Sequence, residues 1–315
     1  MSCQRVAETV GGPNLNKAES DIFAKNPVHI TWPGPRNEDI EAYKAQVNVY
    51  TMNSRQDTGA YLTDSYGLSV KRINDKIYTR IDMQADADGR FRSAVSDGAE
   101  LVIFDRYTEN IDLRVPIASD IPPELDFFSH ETALGRINLS LIRSEAQRLS
   151  FDVNEDAVSQ SLALALPSRL FTNPYEERIS TRAVFDTERE LLNQVETLTV
   201  LNDGTSRLST TYPVYTEYNN TYIKTGQVTT IENQVPGRVS GFDGSVKVYN
   251  SPEEVPEISA RELEELKQQD RVQPVGKMIF GDPADLSHTI TIVETYLDVE
   301  VNTVQNSAFR MIGGL

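Results

Sequence analysis

The chain has 315 residues, 39% of them hydrophobic, and its 47 acidic against 30 basic residues give a formal charge of −17. That excess of negative charge works against binding phosphate backbones or an anionic lipid surface, so nucleic acid is not expected as a partner. No apolar run approaches the roughly 18 residues needed to cross a bilayer, and the length suits one large β domain or two ordinary ones.

Residues 1–37 hold Gly11-Gly12-Pro13, Asn14, Asn16, Pro27 and Trp32-Pro33-Gly34-Pro35 with little periodicity, which reads as a flexible tether. Cys3 is the single cysteine, so no intrachain disulfide forms and no Cys/His metal spacing exists. Met1-Ser2-Cys3 places a small residue before that cysteine, as in a bacterial lipoprotein after removal of its leader, and makes Cys3 a lipidation candidate.

Residues 42–117 then alternate strand patterns with turns. Asp86-Ala87-Asp88-Gly89 closes a hairpin between 76–85 and 90–95, and Ser96-Asp97-Gly98 turns into a stretch at 100–115. A calcium loop around Asp86 is disfavoured, because the EF-hand register places Gln84 first and Val95 where a bidentate Glu is needed. Ile121-Pro122-Pro123-Glu124 opens a helix with Leu125, Phe127, Phe128 and Leu134 to bury, and a second helix follows at 139–149. Both must bury an apolar stripe, so they are expected across one mouth or face of the sheet.

The second half resumes at 161–166, where Leu points one way and Ala the other, and continues through 182–200, the hairpin signal Asn202-Asp203-Gly204, and 212–231. Residues 233–288 read as a Gly/Pro-rich insertion with a surface helix, capped by Ser259 with Glu262 and stapled by Ile258 with Leu263. The last strand, 290–301, puts Thr291, Val293, Thr295, Leu297, Val299 and Val301 on one face. Glu294, Tyr296, Asp298 and Glu300 fall on the other. The chain is therefore expected to be mainly β, of the α+β kind: one large curved antiparallel sheet forming an unclosed half barrel at 38–315, covered by a few helices.

Catalytic signatures are sparse. His29, His130 and His288 have no second His or Cys at metal spacing, and no nucleotide loop or nucleophile elbow occurs, so neither metal nor cofactor is expected. The sequons at Asn138 and Asn219 matter only in a eukaryotic secretory setting. A hydrolase using two carboxylates would need a pair in a cleft with one raised pKa, and the sequence selects none.

Residues 76–82 (Lys-Ile-Tyr-Thr-Arg-Ile-Asp), 95–105 with its Asp-Gly turn and closing Phe104-Asp105, 162–167, 183–186 and 291–309 together resemble the outer-membrane lipoprotein carrier (LolA/LolB-like) and periplasmic lipoprotein-sorting family. The resemblance runs over about residues 41–311, interrupted by the insertion. It implies a non-catalytic protein of the periplasm, or anchored to the outer membrane, of a Gram-negative-type bacterium. Lipid or lipoprotein acyl chains would bind in an apolar hollow, with envelope proteins as further partners and membrane association only through a lipid on Cys3.

A dry concave surface suffices for such a role, since each buried methylene contributes about 0.8 kcal/mol. The candidate lining residues are Ile77, Ile81, Leu101, Ile103, Leu125, Phe127, Phe128, Leu164 and Leu297. Each also reads as ordinary core. The rival expectation is a structural or sensory envelope lipoprotein of the same fold, its hollow filled by its own side chains.

Overall fold

The structure is a computed structural model. It describes residues 9–10, 15–33, 39–54, 59–74, 76–116, 138–157, 160–169, 176–201, 205–218, 221–234 and 288–311. The expected helix after Pro122, the capped helix at 259–269 and nearly all of the insertion lie outside the described residues.

The first half is an antiparallel meander of β3 (Ala42–Asn53), β4 (Tyr61–Ile73), β5 (Lys76–Ala85), β6 (Phe91–Ser96), β7 (Glu100–Asp105) and β8 (Ile111–Pro116). The second comprises β9 (Asp152–Asp156), β10 (Ser161–Arg169), β11 (Glu176–Asp186), β12 (Leu191–Leu201), β13 (Ser206–Tyr218) and β14 (Thr221–Gln234). The final strand, β15 (His288–Val301), enters between β3 and β14 and joins the halves into one sheet, ordered β8-β7-β6-β5-β4-β3-β15-β14-β13-β12-β11-β10-β9. It is mainly antiparallel β, a large unclosed half barrel. Its two edges, β8 and β9, are consecutive in the chain, so residues 117–151 link one edge to the other.

The Asp-Gly turns at Gly89 and Gly98 fall where the sequence puts them, at φ +75 and +82, a region that favours glycine, while Asn202-Asp203-Gly204 lies outside the described residues. Two stretches read as continuous are hairpins instead. Residues 100–115 turn between Asp105 and Ile111, where the Asp105 carboxylate accepts from the Tyr107 and Thr108 amides. Residues 182–200 turn between Asp186 and Leu191, where Asp186 accepts from the Glu188 and Arg189 amides. In both, a side-chain carboxylate replaces the missing strand partner, a turn signal without glycine or proline.

Register divides the sheet into two faces. The inner face carries Tyr43, Ala45 and Val47 of β3, Leu68 and Val70 of β4, and Tyr296, Val299 and Val301 of β15, all buried in one cluster. This face is concave. The Tyr43 hydroxyl donates to the Lys224 carbonyl at 2.9 Å, reaching past β15 from β3 to β14. Ile223 of β14 likewise packs in the cluster of Leu68 and Val70 from β4. At the far end of the same face, α2 (Leu139–Arg148) lays Leu139, Ile142 and Ala146 on Leu162, Leu164, Ala183, Phe185 and Val195. The Asn138 side chain caps α2 by accepting from the Leu141 amide.

The simple alternation expected for β15 breaks after Leu297. A bulge there, with Asp298 at φ +45, resets the pattern, so Tyr296 shares the buried face with Val299 and Val301 instead of facing solvent.

On the outer face of β4–β8, Tyr78, Val95, Val102 and Phe104 are sealed by the chain's end, where a 3-10 turn (Asn306–Phe309) buries Phe309. Lys71 donates to the Val304 carbonyl at 2.5 Å, Arg80 to Ala308 at 2.9 Å and Arg114 to Met311 at 2.9 Å. Three cations on three strands thus satisfy the carbonyls of that segment.

The described part of the expected tether packs onto the sheet. α1 (Lys17–Lys25) begins at an Asn16–Glu19 capping box and seats Ile22 on Val228 and Val293. β14 and β15 pair only as far as Gly226 and Thr295 and then part. β2 (Ile30–Thr31) runs parallel to β15 beside that opening, while β1 (Thr9–Val10) pairs with β13. Trp32 stacks on Tyr218 with ring centroids 6.3 Å apart. The Pro/Gly composition of residues 1–37 hid this because each element is short and draws its stability from the sheet.

Candidate functional site

The inner face of β4–β8 is the candidate site. Cross-strand register aligns Ala45, Leu68, Ile81, Ala94, Ile103 and Leu113 in one row, and Tyr43, Val70, Thr79, Ser96, Leu101 and Val115 in the next. The first row runs from Leu68, 0% exposed, to Leu113 at the open edge, 43% exposed, with Ala94 buried between them. Ile81, Leu101, Ile103 and Val115 are half-buried. Sheets of this kind commonly solvate one face, yet these strands are apolar on both. The outer face is sealed by Phe309, Val304 and Met311, which leaves a partly exposed aliphatic surface on the concave side.

Of the nine expected lining residues, Ile77, Ile81, Leu101 and Ile103 lie together on this face. Leu164 shares the inner face but stands at its other end, 0% exposed beneath α2, as close-packed core. Leu297 pairs with Gln46 and points to the outer face, beside Val293 and Thr295 in alternation. Leu125, Phe127 and Phe128 lie outside the described residues, as does Cys3.

Between the two apolar ends, the inner face turns polar. Glu294 of β15 accepts from the Gln227 amide at 3.0 Å and from the hydroxyls of Tyr66 and Tyr296, each at 3.4 Å. Lys224, at the β14 bulge, is buried with its Nζ 5.8 Å from the Tyr296 ring centroid. Burial lowers the Lys224 ammonium from its ordinary 10.5 to about 8, and the Glu294 carboxylate opposes that fall. Burial drives the Tyr66 hydroxyl well upward, with Glu294 and Asp64 adding to the rise. Tyr43 and Tyr296 are raised for the same first reason.

These polar residues were missed from sequence. Glu294 and Tyr296 alternate as solvent-facing positions would, and Lys224 gives no signal of burial other than its setting among Tyr222, Ile223 and Thr225. Among the described residues, no group of three or more His, Cys, Asp or Glu side chains is arranged to hold a metal ion.

No protein-family model matches the chain, and no curated protein matches it. Among solved structures it is similar to a LolA superfamily protein from Nitrosomonas europaea, at 10% identity over 85% of this chain and 90% of that one, with a TM-score of 0.31. It is also similar to MucB in complex with MucA(peri), at 8% identity over 84% and 94% of the two chains, with a TM-score of 0.19. At identities and scores this low, neither structure says what this chain binds.

Proposed function

We propose that the protein is a non-catalytic binder of acyl chains, holding or transferring a lipid or the acyl group of a lipoprotein on the concave face of its half barrel. The supporting observation is that Ile81, Ile103 and Leu113, in one row across the strands, stay partly exposed on the inner side while the outer side of the same strands is sealed. An acyl chain laid along it removes apolar surface from water at about 0.8 kcal/mol per methylene and needs no reactive group. The setting that fits such a cargo is a bacterial envelope, in the periplasm or at the outer membrane with Cys3 as the lipid-bearing residue, and with other envelope proteins as donor and acceptor.

A second reading, a structural or sensory module whose hollow is filled by its own side chains, is favoured by the far end of the face. There Leu162, Leu164 and Phe185 are 0% exposed under α2. Displacement of a fluorescent acyl probe by dodecanol separates the two. Acyl binding predicts saturable displacement, abolished in Leu101→Glu and Ile103→Glu proteins that retain the wild-type melting temperature. Absence of uptake by the wild-type protein contradicts it and leaves the filled module.

A further inference from the structure

The polar part of the inner face points to the chemistry of the ligand's head, an inference that rests on the acyl-binding reading. Register places Glu294, Val49 and Asp64 side by side on β15, β3 and β4, and the next row is Tyr296, Val47, Tyr66 and Met83. That second row adjoins the Leu68–Ile81–Ile103 row, so carboxylates and aliphatic surface are continuous. Tyr66 is separated from Ile103 by three strand spacings, about 14 Å at roughly 4.8 Å each. An acyl chain lying across β5–β7 would therefore bring its head to Tyr66.

The charges presented there are unequal. Glu294 is half-buried and Asp64 is exposed, whereas Lys224 is only 4% exposed behind Tyr296. The groups reachable from the hollow are thus the carboxylates, while the Lys224 ammonium lies buried against the Tyr296 ring. Gln227, Tyr66 and Tyr296 hold the Glu294 carboxylate in place with three donors, leaving lone pairs for a fourth. We propose that Glu294, aided by Asp64, is the head-group anchor of this site and that its ligand is an acyl chain ending in a primary ammonium, as in an aminolipid. A carboxylate head would meet Glu294 and Asp64 with like charge, and a neutral head would gain only a hydrogen bond.

The test compares dodecylamine, dodecanol and laurate at pH 7 on the full chain by calorimetry, each below its micelle concentration. The amine is expected to bind about tenfold more tightly than laurate, as for one partly desolvated ion pair, with dodecanol between them. Glu294→Gln, which keeps the shape and the acceptor oxygen, is expected to bring amine and laurate within about threefold and to leave dodecanol unchanged. Asp64→Asn, on the exposed side of Tyr66, should narrow the ratio less and guards against a folding defect in the Glu294 variant. Equal affinity for amine and laurate in the wild type overturns the anchor, as does a ratio unchanged in both variants. Binding of none of the three probes overturns the acyl reading itself, and this inference with it.

Discussion

Lys224 offers a stability prediction with a defined sign. The side chain is buried at the point where β14 parts from β15, and its ammonium has fallen from 10.5 to about 8. In the unfolded chain it titrates near its ordinary value, so between about pH 8 and 10.5 the unfolded state holds a proton that the folded state has lost. Stability contributed by this group therefore rises with pH across that window, and below about pH 8 the full cost of burying the charge is present. A fall of about 2.5 at about 1.4 kcal/mol per pH unit amounts to about 3–4 kcal/mol. Lys224→Met keeps the length of the side chain and removes the charge. The Tyr43 hydroxyl bond to the residue 224 carbonyl is a backbone contact and survives.

Urea unfolding at pH 7, 9 and 10.5 should show the variant more stable at pH 7 by up to about 3–4 kcal/mol, with the difference shrinking toward zero at pH 10.5. Comparing the two proteins at each pH cancels the titration of the tyrosines they share. A difference that does not change with pH, or a variant less stable at pH 7, would refute the reasoning and make the Lys224–Tyr296 contact a net stabiliser.

Further outcomes follow from the packing. A Cβ on Gly226 would stand 2.4 Å from the Glu294 carbonyl and 2.6 Å from the Phe23 ring, so Gly226→Ala should cost about 1–3 kcal/mol in denaturant unfolding. Adding Phe23→Ala should not restore stability, because the carbonyl clash remains; full recovery would show that the ring alone is responsible. Phe309→Ala removes the plug of the outer face and should lower stability by about 3–5 kcal/mol in the same assay. Leu164→Ala should cost about 2–5 kcal/mol and leave acyl-probe affinity unchanged, since the residue is core beneath α2. Asn16→Ala breaks the α1 capping box and should cost about 1 kcal/mol. It should also speed hydrogen exchange at the Val299 amide, which donates to the His29 carbonyl just after α1.

Strand content, the Asp-Gly turns at Gly89 and Gly98 and α2 were legible in the sequence because each is a local pattern: period-two alternation, a residue suited to positive φ, or an apolar stripe at helical spacing. The apolar row was legible in part for the same reason, since Ile77, Ile81, Leu101 and Ile103 alternate on their own strands. What escaped was set by pairings distant in sequence. The bulge after Leu297 inverts the faces of β15, sending Leu297 outward and Tyr296 inward. Lys224 and Tyr66 lie more than a hundred residues apart and both come under the influence of Glu294 only because β15 returns between β3 and β14. α1 and β2 are too short to announce themselves and are held by the sheet they patch.

The central claim is that the inner face of β4–β8 holds an acyl chain, and photo-crosslinking tests it most directly. A lipid carrying a diazirine within its acyl chain, activated in complex with the protein and mapped by peptide mass spectrometry, should place adducts within β5, β7 and β8, at Ile81, Leu101, Ile103, Leu113 or Val115. Adducts confined to the outer face around Phe309 and Met311, or scattered without competition by unlabelled lipid, would contradict the account.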